Sequence, residues 1–137
     1  YQAHRVLLYA HRVDEAREGA ERYLGLASDT MLAFLIRLRQ ACAEGRGDAA
    51  DALFEAFDFE ARGADLVNTR WLALKTLGRD EEAWASLRES NLPLYALAGH
   101  LTYTHFDPRH QPRLRDTLAA QGIMREEPLP LPFACHR

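Results

Sequence analysis

One pentapeptide recurs in this chain at a nearly constant interval. Arg-x-acid-x-Ala stands at 12–16 (RVDEA), 46–50 (RGDAA) and 79–83 (RDEEA), spaced 34 and then 33 residues apart. A self-similar period of about 20–50 residues marks a stack of supersecondary units, each too small to bury its own apolar face. The recurrence limits the fold more than any composition figure does.

The flanking residues define the unit. Taking Ala16, Ala50 and Ala83 as reference, His11, Gly45 and Gly78 stand five residues earlier, and Leu7, Ala41 and Leu74 nine earlier. Twelve earlier come His4, Leu38 and Trp71, and sixteen earlier Phe34 and Val67, the first unit being truncated. These steps of four, three and four trace one face of a helix that ends near the glycine position. Four residues past the reference, Ala20, Phe54 and Leu87 begin a second helical stripe, which Tyr23 and Phe57 extend and Ser90 breaks. Each unit therefore reads as helix, tight turn, helix. Glycine suits the left-handed residue that ends the first helix. Asp14, Asp48 and Glu81 bring negative charge to the start of the second, where unpaired amides attract it. The small alanine lets the two helices approach, and the arginines are expected to be solvated turn residues.

Gly-Arg-x-Asp-Glu-Ala, with aromatic and small residues at these offsets, resembles the tetratricopeptide repeat (TPR) family over about residues 1–92. The resemblance implies an all-α fold, a right-handed superhelical array of antiparallel helical hairpins. Residues 1–92 would form three hairpins, 93–123 a degenerate capping hairpin, and 124–137 an extended proline-rich tail. This sequence departs from the family pattern in several places. Arg37 and Arg70 stand where a large apolar residue is usual, His11 replaces the turn glycine, and no proline closes the repeats.

In the capping unit, a helix is expected from about Leu94 to Thr104. A second should begin near Pro112, carry Leu114 and Leu118 on one side and stop at Gly122. The FDPR…L…LAAQGI pattern is similar to the ends of TPR arrays in bacterial multidomain regulators. In the tail, Leu129, Leu131 and Phe133 are too apolar for a purely solvated end. They are expected to lie along the array, against the last hairpin or within its groove.

Composition closes off several function classes. At 137 residues, 47% hydrophobic and 27% charged, the chain has an ordinary folded composition, which excludes wholesale disorder. A net charge of −3 supplies no basic footprint for nucleic acid. No apolar run is long enough to span a membrane. The chain opens at YQAHR without a signal-peptide apolar core and reads as a piece of a longer protein. Lys75 is the only lysine among 17 basic residues, which fits GC-rich bacterial coding. Cys42 and Cys135 lie far apart in sequence and are expected to form neither a disulfide framework nor a metal site, so a reducing cytoplasm is the default.

Candidate chemistry gives no enzyme signature. His100, His105 and His110 are five apart, and each turns about 140° from the last on a helix, so one helix cannot converge them on a metal. His4 and His11 share a face, but it is the packing stripe. Cys42 has no histidine placed to activate it and reads as a buried or groove-lining thiol. Gly45 and Gly47 lack the rest of a phosphate loop, and Arg46-Gly47-Asp48 is explained by the repeat turn. No cofactor or metal is expected.

The family resemblance implies a concave groove lined by the first helix of each hairpin. Carried over by offset, its lining is Arg5, Leu8 and Tyr9 from the first unit, Leu35, Arg39 and Cys42 from the second, and Asn68, Leu72, Lys75 and Thr76 from the third. Arg5, Tyr9, Leu35, Arg39, Asn68, Lys75 and Thr76 are the expected contacts to a partner. Cationic groups over an apolar floor suit an acidic or carboxylate-bearing segment. The expectation is a non-catalytic protein-interaction module of a larger protein. The alternative is a helical enzyme domain whose site has no recognisable signature, and the oligomeric state is left open.

Overall fold

The structure, a computed structural model, describes residues 1–27, 30–59, 66–90, 110, 112–122 and 133–135. Among these it is entirely helical: α1 (Gln2–Tyr9), α2 (Val13–Leu26), α3 (Met31–Ala43), α4 (Gly47–Glu55), α5 (Leu66–Thr76), α6 (Asp80–Glu89) and α7 (Pro112–Ala119). The expected helix at 94–104 lies outside the described residues. The proline-rich tail is described only at 133–135.

The three pentapeptides adopt one local conformation. His11, Gly45 and Gly78 all have positive φ, at 56°, 72° and 73°. After each, the arginine N–H bonds back to the carbonyl five residues earlier: Arg12 to Leu7, Arg46 to Ala41 and Arg79 to Leu74, at 2.9, 2.8 and 2.9 Å. The left-handed residue itself bonds three residues back, to Leu8, Cys42 and Lys75. This is the double bond pattern of a Schellman turn, which satisfies carbonyls left over at a helix end. His11 reaches this conformation without being glycine; histidine is among the side chains enriched there.

The second helix then starts at once, with Arg12, Arg46 or Arg79 as its N-cap and no side-chain cap. Acidic residues crowd the first turn instead, Asp14 and Glu15, Asp48, and Asp80 to Glu82, where the macrodipole favours them. Ala16, Ala50 and Ala83 are all but fully buried. That burial is what a small side chain at a close helix crossing requires.

Helices pair within each unit, α1 with α2, α3 with α4 and α5 with α6, while α3 also touches α2 and α5. The second helices bury only a stripe, Ala16 and Ala20 in α2, Ala50 and Phe54 in α4, and Ala83 and Leu87 in α6. Helix α3 is different. Nine of its residues, Ala33 to Ile36 and Leu38 to Cys42, are buried, leaving Arg37 exposed. In α5, Thr69 and every residue from Trp71 to Thr76 are buried, and Arg70 is exposed. Both exposed arginines stand at the offset where the family pattern has an apolar residue.

Trp71 and Leu38 belong to one apolar core. Trp71 also borders a depression shared with Ala83, Trp84 and Leu87 of α6 and Leu114 of α7. Helix α7 begins at Pro112, buries Leu114 and Leu118 and is followed by Gly122 at φ 82°.

Candidate functional site: the first-helix face

The first-helix face expected to be open is covered. Cys135 forms a disulfide with Cys42 of α3, across 93 residues of sequence. This overturns the expectation that the two cysteines do not pair. Sequence distance says nothing about spatial distance once the chain returns along the array. The thiol reading of Cys42 is right about burial, and the sulfur is bonded. The default of a reducing cytoplasm loses its ground with it, since disulfides persist in oxidising compartments. No described helix is long and apolar enough to cross a membrane.

The tail residues around Cys135 are seated by backbone and side chain. The Cys135 N–H donates to the Thr76 carbonyl at 3.1 Å, one of the acceptors left free at the end of α5. A Cβ on Gly78 would stand 3.1 Å from the Cys135 carbonyl oxygen. Gly78 thus serves both the left-handed turn and the close approach of the tail. Phe133 is buried and meets the Tyr9 ring edge-on at 5.0 Å between centroids, while His110 lies 5.9 Å from the same ring. Tyr9, Cys42 and Thr76, all groove positions by offset, therefore touch segment 133–135.

The expected contact residues divide into two kinds. Leu35 is buried core, and Asn68 lies on α5 with its side chain outside the described residues. Lys75 is buried and its Nζ pairs with Asp80 Oδ1 at 2.6 Å. Thr76 Oγ1 donates to the Leu72 carbonyl one turn back, a common outlet for a mid-helix hydroxyl. Both polar groups are satisfied.

Arg5 and Arg39 are not. Arg39 is completely buried and Arg5 is 9% exposed. Arg39 Nη2 donates to Tyr1 Oη at 2.7 Å, with the guanidinium carbon 4.7 Å from the Tyr1 ring centroid. Its Nε and Nη1, and Nη1 of Arg5, find no acceptor. Burial pushes the Arg39 guanidinium below its usual range; Tyr1 opposes that shift and the positive charge of Arg5 adds to it. Both were expected to line an open groove, and the structure buries them instead. Tyr1 covers Arg39, and segment 133–135 covers Tyr9, Cys42 and Thr76.

His4 extends the buried polar set. Its ring nitrogen Nε2 lies 3.0 Å from Gln40 Oε1, and Gln40 Nε2 continues to Glu44 Oε1 at 2.8 Å. Burial lowers the His4 pKa to about 4, against the raising effect of the Gln40 bond, so the ring is neutral near pH 7. His11, expected on the same packing face, instead occupies the exposed turn. Burial would raise Glu44, but the bonds from Gln40 and Arg46 hold it below the usual carboxylate range. Among the described residues no cluster of three metal-capable side chains occurs.

Sequence reasoning missed Tyr1 and Cys135. The available signal was the pairing of an even cysteine count with an apolar, proline-rich tail. Compared with known proteins, the chain matches no family model, no curated protein and no solved structure.

Proposed function

We propose that this chain is a non-catalytic protein-interaction module, a TPR-like right-handed array whose concave groove takes an extended segment of a protein partner. The observation that carries the reading is the tail: segment 133–135 already lies on Tyr9, Cys42 and Thr76, making an aromatic contact, a covalent bond and a main-chain hydrogen bond. Residues 133 and 134 are turned rather than extended, and the face that seats them offers an aromatic contact and a backbone acceptor, both of which peptide recognition uses. The two underused guanidiniums beside it suit a segment bearing acidic groups. The compartment would be oxidising if the Cys42–Cys135 bond is lasting, and a cytoplasmic setting would make the bond transient.

The test is a titration of the reduced chain with extended peptides of acidic, neutral and basic character, followed by amide chemical shifts. The reading expects the largest shifts at Tyr9 and Thr76, strongest for the acidic peptide. Shifts confined to the opposite face, around Arg17 and Leu53, would overturn it. Turnover of a peptide during the titration would favour the enzyme alternative.

A further inference from the structure

We propose that the Cys42–Cys135 disulfide is a redox latch. Oxidised, it holds segment 133–135 on the first-helix face and blocks that face. Reduced by a dithiol, it opens the face to a partner segment. The proposal rests on the groove reading above and adds how access to the groove is controlled.

The segment touches all three units. Tyr9 belongs to α1, Cys42 to α3 and Thr76 to α5, and Phe133 or Cys135 meets each of them. A partner laid across the three first helices would meet residues 133–135 on its way. Phe133 is 2% exposed, so its ring already takes the contact that Tyr9 could offer to an incoming side chain.

The bond differs in kind from the other ties. The Cys135 N–H on the Thr76 carbonyl and the Phe133 ring on Tyr9 are contacts that another segment can supply with its own N–H and its own ring. The covalent tie has no such substitute. While it stands, the segment is kept at a local concentration far above that of a dissolved competitor. Once it is cut, the contest is between two sets of similar weak contacts.

The array has its own supports. The turns after α1, α3 and α5 close by hydrogen bonds within their own units, and α3 packs on α2, α4 and α5. Cutting the disulfide leaves those contacts in place. That separates a latch from a staple between units.

Opening proceeds by thiol–disulfide exchange. One thiolate of the dithiol attacks a sulfur of the pair, breaking the S–S bond and giving a mixed disulfide and one free cysteine. The second thiol of the reductant then displaces the other cysteine. Two electrons and two protons pass from the dithiol, leaving thiols at Cys42 and Cys135 and a disulfide in the reductant.

The experiment compares the full chain, oxidised and reduced with dithiothreitol, by amide hydrogen exchange and by peptide titration. The peptide is residues 129–137 carrying Cys135→Ser, the chain's own segment supplied in trans. On reduction the Cys135 amide should exchange at least about tenfold faster, the low end of what a disulfide across a long loop supplies. The Arg46 and Arg79 amides at the turns should keep their protection. The peptide should shift the Tyr9 and Thr76 amides saturably in the reduced chain and bind the oxidised chain at least about tenfold more weakly. The double variant C42S/C135S should bind the peptide as the reduced chain does, with or without the reductant.

Equal Cys135 exchange in the two states would overturn the latch. Loss of Arg46 and Arg79 protection on reduction would make the bond a staple of the array and overturn it as well. Equal, saturable peptide binding in both states would remove the latch and keep the groove reading. Faster Cys135 exchange with no peptide binding in either state would uphold the release of the segment and remove the groove reading.

Discussion

At the turns, Arg12 and Arg79 reach three residues forward to Glu15 and Glu82, and Arg46 reaches back to Glu44, each pair at 2.5 Å. On the first helices, Arg5 and Arg39 are buried and carry unmet N–H groups, and Arg39 leans on Tyr1. The residue type is the same and the consequences are opposite. A paired arginine near the surface is screened by water and contributes little to stability. A buried guanidinium without a carboxylate carries its desolvation cost uncompensated. The turn arginines belong to the architecture. Arg5 and Arg39 carry a cost that the turn arginines do not.

The comparison can be broken first by asking whether the first-helix face is joined to a real core. Trp71→Ala should lower stability by about 3–5 kcal/mol, the range for a large aromatic removed from packed surroundings, measured by denaturant unfolding. A loss below about 1 kcal/mol would mean that the core column linking Leu38 and Trp71 is misplaced. Next comes the latch. Replacing both Cys42 and Cys135 by alanine should cost about 2–4 kcal/mol, with the turn amides unaffected in hydrogen exchange and the Cys135 amide losing protection.

His4 sharpens the contrast because it is another buried polar group with an unmet atom, Nδ1. Its folded pKa of about 4 lies below the unfolded value near 6.5. The unfolded chain therefore binds the proton first as pH falls. The stability that neutral His4 contributes is fully present above pH ~6.5 and is lost progressively down to pH ~4, by up to about 3 kcal/mol. His4→Gln should flatten that part of the pH–stability curve; an unchanged slope would place His4 in water.

Arg39→Met addresses the comparison itself. Removing the unpaired buried cation should leave stability unchanged or raise it by up to about 2 kcal/mol. A loss of about 3 kcal/mol would make Arg39 a structural ion and abolish the distinction between first-helix face and turn. The smallest effects belong to the turns. Arg79→Ala, which also gives up a contact over the Phe54 ring, should cost about 1 kcal/mol, and Arg12→Ala less.

The turns were legible because everything that makes them lies within a few residues. The positive-φ position, the first-turn acids and the buried alanine are local requirements, and even the substitution of His11 for glycine leaves the same backbone. Helix α7 was legible for the same reason, with Pro112 opening it and Gly122 following its end. The first-helix face was not. Helical spacing says which side of α3 carries Arg39 and Cys42, but not whether another segment covers that side. The cover comes from Cys135, 93 residues beyond Cys42, and from Tyr1, 38 residues before Arg39. Offsets therefore put Arg5, Arg39 and Lys75 on one face and treated them as equals. The structure separates Lys75, paired with Asp80, from the two that lack a carboxylate.

The central claim is that segment 133–135 lies on the first-helix face at Tyr9, Cys42 and Thr76. Nuclear Overhauser contacts between the Phe133 and Tyr9 rings in the oxidised chain measure this directly, since the rings meet edge-on at 5.0 Å. The account predicts clear cross-peaks between them, with Phe133 shifts displaced by the Tyr9 ring current. Absent cross-peaks together with random-coil Phe133 shifts would contradict it.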